Sequence, residues 1–175
     1  MIRVLAVSGS LRRDSSNSAV LRAAALLAPD GMDIALYAGL AGIPAFNPDD
    51  DGPGAAPPDA VAALRKAVDG ADALLLAVPE YAHGLPGAFK NALDWLVSLE
   101  TFPGKPVALI NAAPRATHAQ AALREILATM SARVIGQACV AVPPPRGGGA
   151  AADAEFAGVL RGVLADLAKV CGEGG

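Results

Sequence analysis

The chain predicts a doubly wound α/β fold, a three-layer sandwich whose five-stranded parallel sheet, in the order 2-1-3-4-5, carries helices on both faces. Three observations predict it. Short apolar runs recur at 2–7, 33–37, 73–78, 107–112 and 138–142, with longer helix-compatible stretches between them. Such alternation builds parallel sheets through right-handed crossovers. The third run, Ala73 to Val78, has no polar alternate position, as expected of a central strand covered on both faces. The composition is 53% hydrophobic, mostly Ala, Val and Leu, and only 4% aromatic, which suits helices packed closely on a sheet better than an aromatic-rich β sandwich.

Taken in order, the first strand (2–7) runs into Ser8, Gly9, Ser10, Leu11, Arg12, Arg13, Asp14, Ser15, Ser16 and Asn17, a loop and helix start ahead of an Ala- and Leu-rich stretch. The second strand is expected at 33–37. Pro57 and Pro58 open a helix through Val61, Leu64 and Val68, and Pro86 suits the first turn of a third helix after strand three. Strand four, at 107–112, leads to a helix with the stripe Ala119, Ala122, Leu123, Ile126, Leu127 and Met130. Strand five, at 138–142, leads to another with Phe156, Val159, Leu160, Val163, Leu164 and Leu167. Both stripes have the spacing of a core-facing helix surface. Between strand five and the last helix, the run from Pro143 to Gly149 reads as a linker, stiff and then flexible.

At 175 residues the chain suits a single domain over 1–175. A net charge of −3 and the lack of a basic stripe argue against nucleic-acid binding. Cys139 and Cys171 form no CxxC pair and lack metal-ligand spacing with His, so they are expected to be buried apolar residues in a reducing cytoplasm. Asp49, Asp50, Asp51 and Gly52 read as a solvated turn, and no metal site is expected. The N-terminus lacks a secretory pattern, and no run reaches the length of a membrane span.

In a 2-1-3-4-5 sheet, ligands bind beyond the carboxyl ends of the strands where the winding reverses, here between strands one and three. Two unusual loops meet there. The first gathers hydroxyls, Asn17 and two arginines at a helix N-terminus, the makings of an anion cradle, with Arg12 able to give a bidentate contact to phosphate. An ordinary capped turn accounts for one or two of these residues. The second loop holds Pro79, Glu80, Tyr81, Ala82, His83, Gly84, Leu85, Pro86 and Gly87, and Gly84 with Pro86 and Gly87 is expected to set its backbone shape. The first loop lacks the Lys-Ser/Thr ending of an NTPase loop and the G-x-G-x-x-G fingerprint, and no G-x-S-x-G elbow is present.

Gly9, Ser10, Leu11 and Arg12 with Ser15 and Asn17, then Pro79, Glu80, Tyr81 and His83, Pro86 and Gly87, and the run Lys90 to Trp95, together resemble the NADPH-dependent FMN reductase family. Ile43, Pro44, Asn47, Pro48 and Asp49, and later Ala119, Gln120, Leu123 and Arg124, extend the similarity. The resemblance implies a flavodoxin-like fold. It implies that Ser10, Arg12, Ser15, Ser16 and Asn17 hold the phosphate of FMN, and that Pro79, Glu80, Tyr81 and Ala82 line its ring, with His83 beside them. It further implies an NAD(P)H oxidoreductase that passes hydride from NADPH or NADH through FMN to quinone, azo, chromate or flavin acceptors in a ping-pong scheme, with chemistry carried by the cofactor and no catalytic side chain. A dimer or tetramer is expected, because a neighbouring subunit completes the cleft in this family. Three departures stand out: Ala82 where the family usually has Asn, Gly84 where Ser often follows the His, and Ala112 to His118 where a glycine-rich loop is common.

Several residues carry two readings. Tyr81 is a ring-lining or a core aromatic. His83 is a donor to flavin or substrate, or a loop histidine bonded to backbone. Glu80 passes for a general acid, yet hydride transfer to a flavin needs none, which favours a structural role as the partner of a nearby cation. Phe89, Leu93 and Trp95 read as helix packing. Arg115 and His118 are nicotinamide-phosphate contacts or exposed loop cations. The rival to the enzyme is a flavodoxin-like electron carrier or flavin sensor, disfavoured by the nearly balanced charge; weakened flavin binding would leave an apo scaffold.

Overall fold

The computed structural model describes residues 1–52, 54–142 and 153–173. The strands are β1 (Ile2–Ser8), β2 (Met32–Leu36), β3 (Ala73–Ala77), β4 (Pro106–Asn111) and β5 (Arg133–Ala141). The helices are α1 (Ser16–Leu26), α2 (Asp59–Asp69), α3 (Gly87–Asp94), α4 (Thr117–Thr129) and α5 (Ala154–Gly172). All four strand pairings are parallel and the order is β2-β1-β3-β4-β5, as the alternation predicts. The expected linker from Pro143 to Gly149 lies outside the described residues.

The central strand shows why both faces are covered. Ala73, Leu75 and Ala77 join Val20, Leu21, Leu160 and Leu164 in a core beneath α1 and α5. Leu74 and Leu76 point the other way, into a second core with Leu64, Val68, Phe89, Leu93, Leu123 and Leu127 from α2, α3 and α4. Alternate side chains of a strand face opposite sides, so a continuous apolar run serves two cores at once. Phe89, Leu93 and Trp95 are buried as expected of packing residues.

The last strand departs most from expectation. It begins at Arg133, five residues before the start read from the apolar run at 138–142, because an edge strand half open to solvent needs no continuous apolar run. Its register against β4 jumps: Val107 pairs with Val134, but Leu109 pairs with Cys139. Pro58 and Pro86 sit one residue outside α2 and α3, at the cap positions. Val159 is 37% exposed and leaves the core stripe of α5. Both cysteines are free and only partly buried, which corrects the expectation of full burial; burial nevertheless pushes the Cys171 thiol up.

The triple-Asp turn also corrects an expectation. Asp49 and Asp50 are exposed, but the Asp51 carboxylate accepts from Arg65 Nη2 at 2.6 Å and from Ser98 Oγ at 2.6 Å. Arg65 also donates to Trp95 O from Nε at 2.9 Å. Farther up the same connection, Asn91 Nδ2 and Trp95 Nε1 both donate to Pro44 O, at 2.8 and 2.9 Å, while Asn91 Oδ1 accepts from Phe46 N at 2.7 Å. The ring of Phe46 meets Trp95 edge-on at 5.0 Å. These contacts strap the β2–α2 connection to α3.

Candidate functional site

The two loops singled out in the sequence leave neighbouring strands at the same edge of the sheet. Ser8 pairs with Ala77 at the ends of β1 and β3, and Gly9 N donates to Ala77 O at 2.8 Å. Gly9 lies close enough to β3 that a Cβ there would come within 2.6 Å of Val78 Cγ1. The crevice therefore opens at the point where the winding reverses, as the strand order requires.

The first loop is organised by its own hydroxyls. Ser8 Oγ accepts from Ser18 Oγ at 2.9 Å and from Ser10 N at 3.3 Å, Ser10 Oγ accepts from Arg12 N at 3.3 Å, and Ser15 Oγ caps α1 by accepting from Ser18 N at 3.4 Å. Ser15 and Asn17 are buried, whereas Arg12 and Ser16 are exposed and Ser10 is half-buried. No ion pair involves Arg12 among the described residues. The first amides of a helix have no intrahelical acceptor, and they sit at the positive end of its dipole. Asn17 is only 6% exposed, and its Oδ1 has no hydrogen-bond partner. The donors that could meet a phosphate here are the exposed Arg12 guanidinium and the first amides of α1. These residues fit the phosphate of FMN. On the β2 side of the loop, a cavity of about 280 Å³ is lined by Ser10, Ser18, Arg22, Tyr37 and Leu40, and burial raises the Tyr37 hydroxyl above its ordinary pKa.

The second loop turns tightly. Tyr81 and Gly84 exchange backbone hydrogen bonds of 3.0 and 2.9 Å, and the residues between them, Ala82 and His83, have φ values of 49° and 59°. This corrects the role expected of Gly84: it does not have positive φ, and a Cβ there would meet nothing nearer than Tyr81 O at 3.7 Å. The unusual conformation belongs to the two residues before it. Tyr81 is 55% exposed, so it is no core aromatic. Pro79 and Glu80 are half-buried, Ala82 and His83 exposed.

Two contacts here escape the sequence reading. Glu80 Oε2 accepts from Ala119 N at 2.9 Å, so the partner expected to be a cation is a backbone amide in the first turn of α4. His83 stacks on His118 with ring centroids 4.2 Å apart and planes 14° from parallel. A signal for the first was present, since Ala116 at the start of α4 offers no capping side chain and the orphan amides behind it need a partner from elsewhere. Asn111, buried at the end of β4, shapes the same connection: Oδ1 accepts from Ala113 N at 3.0 Å and Nδ2 donates to Ala116 O at 3.3 Å. Among the described residues no three His, Cys, Asp or Glu side chains converge as metal ligands, and no helix is long and apolar enough to cross a membrane.

A doubly wound parallel sheet in this order, with an anion cradle after β1 and a tight turn after β3, defines a flavodoxin-like protein. The chain belongs to the NADPH-dependent FMN reductase family, whose pattern it matches over residues 2–145. It is 46% identical over 113 residues to an NAD(P)H-dependent FMN reductase of Pseudomonas aeruginosa, covering 63% of this chain and 60% of that protein's length. A quinone reductase of Escherichia coli is 33% identical over 144 residues, which are 78% of this chain and 74% of the relative. Among solved structures, FerB, a flavoenzyme NAD(P)H:(acceptor) oxidoreductase from Paracoccus denitrificans, superposes with a TM-score of 0.84 at 27% identity, over 99% of this chain and 98% of that one.

Proposed function

We propose that this protein is an FMN-dependent NAD(P)H oxidoreductase whose acceptors are quinones. The observation that carries the reading is the meeting, at the adjoining ends of β1 and β3, of the helix-N-terminal cradle with its exposed Arg12 and the turn after β3. Family membership, the E. coli quinone reductase and the name of the P. aeruginosa relative support it. Azo compounds, chromate and free flavins are further acceptors in this reading, since an open flavin face admits flat oxidants and small ones alike.

In this assignment Ser10, Arg12, Ser15, Ser16 and Asn17 hold the phosphate, with the N-terminus of α1 adding favourable potential. Pro79, Glu80, Tyr81, Ala82 and His83 present backbone and rings to the flavin edge. FMN, when bound, would supply the redox chemistry between NADPH or NADH and the acceptor. The chain's task is to seat both substrates in turn at the same mouth, which makes the kinetics ping-pong. No catalytic side chain is assigned. The Glu80 carboxylate accepts the Ala119 amide and serves the fold, which suits chemistry without a protein acid. Assembly to a dimer or tetramer completes the cleft, and the exposed Leu11 and Val97 suit an apolar contact. The protein works in the cytoplasm as one domain over 1–175, where two free cysteines suit a reducing compartment.

An absorbance spectrum of the purified protein tests the reading: flavin bands are expected, bleached by anaerobic NADPH or NADH and restored by a quinone. Protein that takes up no FMN contradicts it.

A further inference from the structure

We propose that Glu80 and His118 are positioning residues, which clamp the turn from Tyr81 to Gly84 onto the start of α4 and so hold the backbone that faces the flavin ring. This inference rests on the reading that FMN binds in this crevice. A two-residue turn with positive φ at both central positions is ordinarily built from Asn or Gly, because other side chains strain the left-handed conformation. Here the central residues are Ala82 and His83, at 49° and 59°. The turn's two internal hydrogen bonds close it against that bias, and two contacts from α4 add to them.

Glu80 stands immediately before the turn and accepts from Ala119 N at 2.9 Å. His83, inside the turn, stacks on His118 at 4.2 Å. The two receiving residues are neighbours in the first turn of α4, a helix whose own start provides no capping side chain. The carboxylate thus satisfies an orphan amide and places negative charge at the positive end of the helix dipole. The benefit is mutual: the loop caps the helix, and the helix immobilises the loop. The Glu80 carboxylate is engaged by Ala119 N and the His118 ring by His83, so these side chains would reach the flavin edge only through the turn, which is why they position and do not catalyse.

The experiment compares FMN-loaded wild type with His83→Ala, His118→Ala, the double variant and His118→Phe. Two quantities are measured in each, the FMN dissociation constant and the midpoint potential of the bound flavin. Both imidazoles are exposed, so alanine at either position leaves the core intact. Each single alanine variant is expected to bind FMN about three- to tenfold more weakly, the range of one aromatic pair, and to shift the potential. The double variant should lose no more than either single one, since the two rings make one contact, and His118→Phe should restore both quantities. Glu80→Gln, which keeps an acceptor oxygen, should retain the wild-type potential, while Glu80→Ala shifts it. Additive losses in the double variant, or unchanged affinity and potential in both single variants, overturn the clamp while leaving the proposed function intact. Wild-type protein that binds no FMN overturns both.

Discussion

At Gly9 the chain passes so close to the end of β3 that any side chain would collide: a Cβ would lie 2.6 Å from Val78 Cγ1 and 3.3 Å from Phe89 Cγ, both in buried residues. The requirement is one of space, since Gly9 is not among the residues with positive φ. Gly9→Ala should therefore cost about 1–3 kcal/mol, the usual penalty for forcing a methyl into packed surroundings, read as a lower denaturation midpoint; an unchanged midpoint would show that the loop shifts freely. Arg12 makes the opposite kind of contribution. It is exposed and without an ion pair among the described residues, so Arg12→Ala should leave the fold as stable as before and weaken FMN binding by about 1.5–3 kcal/mol, as for a hydrogen bond to a charged group. A fluorescence titration that gives wild-type affinity removes Arg12 from the phosphate site.

Among the elements, the β2–α2 connection is held by side chains whose purpose local sequence hides. Burial pushes the Asp51 carboxyl up, but hydrogen bonds from Ser98 and Arg65 and the Arg65 charge outweigh it and leave the group below the ordinary carboxylate range. A carboxyl depressed in the fold stabilises fully above its unfolded value, about 3.9 for Asp, and loses that contribution as pH falls through the folded one. Asp51→Ala should consequently destabilise the protein by about 1–3 kcal/mol at pH 7 and by less at pH 3, a difference that urea unfolding at the two pH values measures; an equal cost at both would rule out the ionised pair. What sequence makes legible follows the same physics. The sheet order and central strand are readable because Ala73 to Val78 must be apolar at every position, and the loop ahead of α1 because hydroxyls gather at a helix start. Arg133 to Gln137 are not, since an edge strand accepts polar residues on its open side. Nor are the Asp51–Arg65 pair, 14 positions apart, or the Glu80–Ala119 contact, 39 apart, whose partners only the folded chain brings together.

For the molecule as a whole, two apolar cores on opposite faces of one sheet fix β1 and β3 side by side, and the crevice at their carboxyl ends is a consequence of that winding. If one mouth serves nicotinamide and acceptor in turn, steady-state rates at several fixed quinone concentrations should give parallel double-reciprocal lines against NADPH; intersecting lines would require both substrates bound at once. A carrier or sensor would behave otherwise, waiting for a separate protein to reduce it. The most direct test of the central claim is anaerobic stopped-flow mixing of the FMN-loaded protein with NADPH and, separately, NADH. Loss of the oxidised flavin band is expected at a rate on the order of 1 per second or faster, in keeping with ordinary enzyme turnover, as is its return on adding quinone. Bound flavin that stays oxidised for many minutes under excess of both nucleotides would contradict the reductase and leave the carrier or sensor in its place.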